Sequence, residues 1–189
     1  MAEAAINDNN VTVSQPVSEG GIVYVAPKGT DVPDKLTKPS ALPPAFKSLG
    51  DIGEDGFTES TDSDSDAFKN MGGHTVLTVS KGKSRQFKFT FIEALRADLM
   101  RFIYGNADVD ESGNLTHYEL SNKDNEECVA VVYELLSNGK TRMTTLDRVK
   151  PKEFDDVEHS IGSLMSYTVT VDALDHGGKS GDVYVGVPA

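Results

Sequence analysis

The sequence predicts a mainly β fold, an antiparallel β-sandwich or barrel-like arrangement with one packed α-helix. Three observations lead to this fold class. Several runs alternate between apolar and polar residues, one run changes to the helical period, and no part of the chain repeats the strand–helix–strand rhythm of a parallel sheet. We therefore expect six or more strands and one helix in this chain of 189 residues.

The length suits a single domain with a substantial core. Residues 1–20 are polar and patternless, and are predicted to form an extended N-terminal arm. Residues 21–176 are predicted to form the domain, and residues 177–189 a C-terminal strand or tail.

The first predicted strand, Ile22 to Val25, leads into a long loop over residues 27–47. Five prolines in this loop remove backbone donors and prevent regular structure. Because both flanks have strand character, we expect an arm-like loop, whose apolar residues are Leu36, Leu42 and Phe46.

The next segment, residues 51–66, is strongly acidic and carries no lysine or arginine. Every second residue from Asp62 to Asp66 is acidic, so a strand would place these carboxylates on one face. Neither face can be buried, and an acidic hairpin over residues 51–74 is predicted to be mobile until a partner supplies backbone hydrogen bonds. The seven acids are Asp51, Glu54, Asp55, Glu59, Asp62, Asp64 and Asp66.

Residues 75–80 are predicted to be a strand that turns at Lys81-Gly82-Lys83 into the phenylalanine-rich strand RQFKFTF. The helical period starts at Ile92, and Gly105 is expected to end the helix. Asn138-Gly139 predicts a further hairpin, and SYTVTVDAL a long final strand. The predicted core residues are Phe87, Phe89, Phe91, Leu95, Leu99, Phe102, Tyr167, Val169 and Val171.

The composition limits the possible functions. The formal net charge of −12 disfavours specific binding to nucleic acid, which depends on lysine and arginine. Cys128 lies in an apolar run and is expected to be a buried small hydrophobe. The four histidines stand apart in polar sequence, so no catalytic constellation and no cofactor site is predicted.

One segment, DVDESGNLTHYE at 108–119, matches an EF-hand loop in its ligand positions. The match lacks a helical pattern on its C-terminal side, so it is a weak calcium candidate beside the alternative of an acidic connector. The candidate ligands are Asp108, Asp110, Ser112, Asn114 and Glu119.

The order of these features resembles the major tail proteins of siphophages, the bacteriophages with long non-contractile tails. The matching pieces are the opening strand GIVYVAPKGT, the proline-rich loop, the block LGDIGEDGFTESTDSDSD, the passage RQFKFTFIEALRADLMRFIYG and the closing strand SYTVTVDAL. The resemblance extends over roughly residues 20–175.

This resemblance implies a structural virion protein made in the host cytoplasm, with no enzymatic activity and no membrane partner. Six copies would close into a ring, and rings would stack into a tube around the tape measure protein, between the tail terminator and the tail tip proteins. The genome would pass through the tube without specific binding.

The resemblance also gives the polar segments a role. The seven acids of residues 51–66 are expected to face the lumen or the next ring, since a basic lumen would retain passing DNA. Leu36, Leu42 and Phe46 are expected to contact a neighbouring subunit. The simpler alternatives are that the acids only keep the monomer soluble and that the loop is a surface loop.

Two other functions stay open. A calcium-binding or adhesive extracellular β-module is suggested by residues 108–119 and by the sequence pI of 4.7. The other is a different ring-forming tail protein with a related fold, such as a tail terminator, a distal tail protein or the inner tube of a contractile tail.

Overall fold

A computed structural model of the chain describes residues 10–15 and 21–188. These residues form a nine-stranded antiparallel sheet, a two-stranded sheet and one α-helix, which confirms the predicted fold class. No helix in the described ranges is long and apolar enough to cross a membrane. The elements are β1 Ser14–Gln15, β2 Val23–Pro27, β3 Lys47–Ser48, β4 Ile52–Lys69, β5 Thr75–Phe91, α1 Ala97–Tyr104, β6 Asp108–Val109, β7 Leu115–His117, β8 Cys128–Leu136, β9 Thr141–Phe154, β10 Tyr167–Ala173 and β11 Asp182–Gly186.

The large sheet has the strand order β3-β2-β8-β9-β10-β5-β4. Two short strands complete it: β1 lies beside β8, and β11 pairs with the first half of β9. β1 belongs to the predicted N-terminal arm, and Ser14 and Gln15 are paired there with Leu136 and Leu135. This part of the N-terminal segment is therefore attached to the sheet, while residues 1–9 and 16–20 lie outside the described residues.

The main core lies between β5 and β10 on one side and β2 and β8 on the other, with α1 packed against it. Strand alternation sends every second side chain into this core, including Phe87, Phe89 and Phe91 of β5. Stacked and tilted ring contacts, with centroids 5.8 to 6.2 Å apart, join these three rings. Of the residues predicted to be core, those that are buried are Phe87, Phe89, Phe91, Leu99, Tyr167, Val169 and Val171.

A second core lies on the opposite face of β2 and β8, where the alternate residues Tyr24, Val131 and Tyr133 are buried. The proline-rich loop covers this face. Phe46 at the end of the loop is 7% exposed and belongs to the second core. One turn of 3-10 helix, Pro39–Ala41, is the regular structure between β2 and β3.

The helix begins later than its apolar pattern predicted. Glu93 accepts a hydrogen bond from the backbone N–H of Asp51 at 2.9 Å, and Arg96 donates to the carbonyl of Ser48 at 2.9 Å. These contacts hold residues 92–96 in a turn, so α1 starts at Ala97. The prediction that Leu95 is a core residue is wrong, because Leu95 precedes the helix and is 74% exposed.

The end of the helix and the closing hairpin follow the sequence signals. Gly105 has φ +79° and donates its N–H to the carbonyl of Arg101, which ends α1. Phe102 is partly buried against the main core. Asn138-Gly139 joins β8 to β9 as predicted, with Gly139 at φ +77°.

Candidate assembly surface

A long two-stranded hairpin leaves the sheet at β4 and β5. β10 pairs with β5 from Phe91 to Arg85, and beyond Arg85 β5 has β4 as its one partner among the described strands. All residues from 58 to 84 are exposed. We call residues 60–84 the arm. The arm thus lacks the cover that the rest of the sheet has. A two-stranded hairpin without such cover is at best marginally stable in water.

The arm turns between Asn70 and His74, and not at Gly82, where the sequence predicted a turn. The side-chain oxygen of Asn70 accepts hydrogen bonds from the backbone N–H groups of Gly72 and His74, both at 3.0 Å. Gly73 supplies the positive φ of +82° that the turn needs. Residues 75–91 are one continuous strand, and β4, which holds most of the acidic segment, is its partner.

The predicted turn at Lys81-Gly82-Lys83 is therefore wrong. Asp64 pairs with Gly82 and Ser65 pairs with Ser80, which leaves Lys81 as the extra residue of a β-bulge. Gly82 has φ +103°, a conformation that suits a bulge as well as a turn. The sequence correctly indicates a backbone irregularity at this position, but the irregularity is a β-bulge and not a turn.

The acidic side chains lie on one face of the arm, because the extra residue of the bulge is on β5 and β4 alternates without interruption through Asp62, Asp64 and Asp66. Glu59 pairs with the buried Phe87, so odd-numbered residues of β4 continue the face that carries the core. The even-numbered Asp62, Asp64 and Asp66 lie on the other face, which we call the outer face. Lys81 lies there too, with its ammonium 2.9 Å from Asp66 and 3.6 Å from Asp64.

The outer face becomes apolar toward the turn. Phe68 is paired with Leu77, and Val79 is paired with Asp66. The three apolar side chains are 53%, 56% and 45% exposed, respectively for Phe68, Leu77 and Val79. An acidic middle and an apolar end thus share one exposed face, as is typical of a surface that contacts another molecule.

The base of the arm is fixed by ion pairs that the sequence did not indicate. Arg142 of β9 binds Glu134 and Glu59, with N–O distances of 2.5 and 2.9 Å. Arg85 lies 3.5 Å from the same Glu59 carboxylate. Glu59, one of the residues predicted to face a lumen, is thus bound within its own chain, by Arg142 of β9 and by Arg85 of the adjacent β5.

The other predicted lumen residues lie at or before the start of the regular pairing. Asp51 accepts a hydrogen bond from the N–H of Ile52, its neighbour. Glu54 and Asp55 lie in the irregular stretch between Ile52 and Phe57, where the register shifts. Only Asp62, Asp64 and Asp66 of the seven acids are therefore on the arm itself.

The proline-rich loop is held by its own chain. Leu36 and Leu42 are partly buried against the second core that includes Phe46, together with Tyr184 of β11. These contacts cover the sheet within one subunit, and the predicted contact of the three side chains with a neighbour stays a prediction.

The EF-hand-like segment is a β-hairpin, with β6 and β7 on the two sides of its turn. The side-chain amide of Asn114 donates a hydrogen bond to the Asp110 carboxylate at 3.0 Å, and the backbone N–H groups of Asn114 and Ser112 donate to it at 2.8 and 2.9 Å. These donors lower the pKa of the carboxyl group. The carboxylate thus organises the turn. β6 and β7 lie within the loop itself, and residues 120–127 that follow it contain no helix, whereas an EF-hand loop lies between two helices. In residues 10–15 and 21–188, no three His, Cys, Asp or Glu side chains are grouped to hold a metal ion.

Comparison with known proteins identifies a family for this chain. The phage tail tube protein family matches residues 4–184. No curated protein sequence matches the chain. Among solved structures, the chain is similar to the tube-terminating cap of the anti-feeding prophage, with 10% identity, a TM-score of 0.37, and coverage of 97% of this chain and 99% of that one. Because the family match spans nearly the whole length, the chain belongs to the phage tail tube protein family.

Proposed function

We propose that this bacteriophage tail protein is the major tube subunit of a siphophage, and that six copies close into a ring whose stacks form a conduit for the genome. The arm is the observation that carries the proposal. Its strands are long and exposed on both faces, and their outer edges pair with no other strand of the described residues. Such edges are a template for pairing with another chain. An open edge promotes aggregation of a monomer, but in a polymer the same edge can form the contact between subunits.

Ring closure would complete the folding of the arm. Neighbouring arms would pair edge to edge, each supplying the backbone hydrogen bonds that the other lacks. A ring of paired arms is a closed barrel, and closure removes the free edges altogether. The main core and the helix would stay outside this barrel as the body of each subunit.

The bore of the tube would be lined by the outer face of the arms. The opposite face continues the core face of β5, and this side would turn toward the bodies of the subunits. Asp62, Asp64 and Asp66 would then face passing DNA and repel its phosphates. We propose the tape measure protein as the occupant before DNA passage, and the tail terminator and tip proteins as the neighbours at the tube ends.

The role of the chain is structural in this proposal, with no catalysis and no specific DNA contact. The apolar side chains of the proline-rich loop already cover the second core of their own subunit. The loop would therefore touch the next subunit through its other, exposed side. Synthesis in the host cytoplasm would precede assembly into the virion.

Electron microscopy of the purified chain tests the proposal directly. Long uniform tubes with six-fold end views are expected, whereas single rings would indicate a terminator or distal tail protein. Hydrogen exchange before and after assembly tests the arm. The amides of residues 57–70 that point away from β5 should become protected in the tube, and equal protection in both states would exclude pairing between arms.

A further inference from the structure

We infer that the tip of the arm in one subunit binds an apolar groove on the body of a second copy, and that this contact joins successive rings. The tip comprises residues 67–77, and the groove lies at the other end of β5. This inference rests on the proposed tube and names a contact between its rings, whereas the pairing of arms concerns contacts within one ring.

The groove lies where β5 and β10 end on the side away from the arm. Residues 92–96 follow β5 directly, and Leu164 and Met165 come just before β10, whose first residue Tyr167 is paired with Phe91. These two segments line an open groove of about 520 Å³. The groove therefore belongs to the body of the subunit, at the end opposite the tip.

The walls of the groove expose apolar side chains. Leu95 and Leu164 are 74% and 67% exposed, and Ile161, three residues before Leu164, is fully exposed. Together with the open groove between them, these side chains form an apolar surface that their own subunit leaves uncovered. Such a surface is typical of a contact with another molecule.

The groove is bordered by negative charge. Glu158 accepts hydrogen bonds from the hydroxyl groups of Ser160 and Ser163 at 2.7 and 3.3 Å. These bonds hold its carboxylate at the residue that precedes Leu164. No lysine or arginine occurs from residue 153 to residue 178, and no cation of the described residues binds Glu158. The carboxylate is thus available to a cation of another subunit.

The tip of the arm has the complementary properties. Met71, in the turn, is fully exposed, and Val76 is also exposed. The tip contains Lys69 and no acidic residue, and within residues 10–15 and 21–188 no carboxylate binds the Lys69 ammonium. Because Lys69 is an odd-numbered residue of β4, it lies on the face of the arm that would turn toward the bodies of the subunits. An apolar, basic tip thus matches an apolar groove with an acidic border.

The length of β5 prevents a subunit from filling its own groove. β5 runs from Thr75 to Phe91, so the tip and the groove lie roughly 50 Å apart along the strand. Strands of a barrel run along its axis with a tilt, so the two surfaces would lie at opposite rims of a ring. Rings that stack in one orientation then bring the tips of one ring to the grooves of the next. Rings stacked face to face would bring tips to tips, and growth would stop after two rings.

Cross-linking of the full chain tests this contact. Two variants share the substitutions Met71→Cys and Cys128→Ala. The test variant adds Leu164→Cys, and the control variant adds Leu120→Cys, at an exposed leucine outside the groove. Assembled tubes are treated with a short bis-maleimide and analysed on a denaturing gel. We expect a ladder of multimers from the test variant, because each subunit offers its tip and its groove to different neighbours.

The control variant should stay mostly monomeric on the gel. Unassembled test variant should also give no ladder, because the tip and the groove of one chain are too far apart to be joined. Tubes of the test variant without a ladder would assign the groove to another occupant and overturn the inference. Equal ladders from the two variants would overturn it as well, since the tip would then have no preferred site on the body.

Exchange of the two charges tests the contact without cysteines. Lys69→Glu places like charges at the tip and the groove, and should raise the concentration needed for tubes about fivefold, as expected for an exposed charge pair. Glu158→Lys alone should act in the same direction. The double variant restores opposite charges and should assemble near the wild-type concentration. Lys140→Glu, at an exposed residue of the β8–β9 hairpin, makes the same change in net charge as Lys69→Glu and should assemble like wild type.

Microscopy of these variants separates the contact from the proposed function. Because the contact joins rings, the single variants should still form six-fold rings at concentrations where their tubes fail. Absence of tubes from the wild-type chain would overturn the proposed function and the inference with it. Tubes from wild type, with a double variant that assembles no better than the single variants, would overturn the inference only. An equal loss of assembly by Lys140→Glu would attribute the effect to net charge and also overturn the inference.

Discussion

Arg142 of β9 donates a hydrogen bond from Nη2 to Oε2 of Glu59 in β4, at 2.9 Å. These strands are not neighbours in the sheet, so the pair connects the base of the arm with the central strands. Nη1 of the same guanidinium binds Glu134, whose side chain is only 13% exposed. One arginine thus neutralises two carboxylates from different parts of the fold.

Substitution Arg142→Met should destabilise the subunit, because it leaves the charged, partly buried Glu134 without a cation, with the hydrogen bond from the Ser14 hydroxyl still in place. We expect a loss of about 2 kcal/mol in the free energy of unfolding, below the range for a fully buried pair because these groups are partly exposed. Urea denaturation of the monomer measures it. Lys88→Met, which removes the exposed pair with Asp155, is the matched control and should cost less than about 0.5 kcal/mol. Equal effects of the two substitutions would contradict a stabilising role for the Arg142 ion pairs.

Phe87 and Leu95 are both apolar and both predicted from the sequence to lie in the core, but they differ in burial, at 0% and 74% exposed. Phe87→Ala should lower the free energy of unfolding by about 3 to 5 kcal/mol, since it removes a ring from the main core and leaves a cavity. Leu95→Ala should change it by less than about 0.5 kcal/mol. Chemical denaturation of both variants checks the pair, and a large loss for Leu95→Ala would place that residue in the core after all.

Glu127 should make stability depend on acid. Arg148 binds its carboxylate through two nitrogens at 2.9 and 3.1 Å, and Lys28 lies 2.8 Å away. These donors lower the pKa of Glu127 from 4.5 to about 2. Because the pKa is lower in the folded chain, the stabilisation is complete above pH 4.5 and disappears as the pH falls toward 2.

The pH dependence of the urea midpoint tests this carboxylate. Glu127→Gln should be less stable than wild type at pH 7 and should lose less stability between pH 4.5 and pH 2. The neighbouring exposed Glu126 gives the control substitution, Glu126→Gln, which should follow the wild-type curve. Parallel curves for wild type and Glu127→Gln would show that the two cations do not stabilise the carboxylate.

Cys128 should be unreactive in the folded chain. Burial raises the pKa of its thiol to about 12, so only about one molecule in ten thousand carries the thiolate at pH 8. Ellman's reagent should label it slowly in native protein and rapidly in denaturant. A Ser163→Cys, Cys128→Ala variant, with the thiol in an exposed loop, is the fast control. Fast labelling of native wild type would show that the thiol is accessible.

Local patterns predicted much of this fold because they depend on neighbouring residues only. The alternation from Tyr167 to Ala173 identified β10, and Asn138-Gly139 identified a turn between β8 and β9. Gly105 predicted the end of the helix, since a left-handed residue there needs no partner elsewhere. The apolar pattern predicted a helix start at Ile92, which is too early. Contacts of Glu93 and Arg96 with residues 48–51 determine where the helix starts, and these contacts join distant parts of the chain.

The acidic segment shows the same division at the candidate site. Its sequence determined that Asp62, Asp64 and Asp66 share a strand face and that neither face of this strand can form a core. The tertiary structure decided that β5 is its partner, that Gly82 makes a bulge, and that Glu59 is bound to Arg142. Alternation is a property of one strand, whereas pairing, register and ion pairs join residues far apart in the chain, and these depend on which distant surfaces pack together.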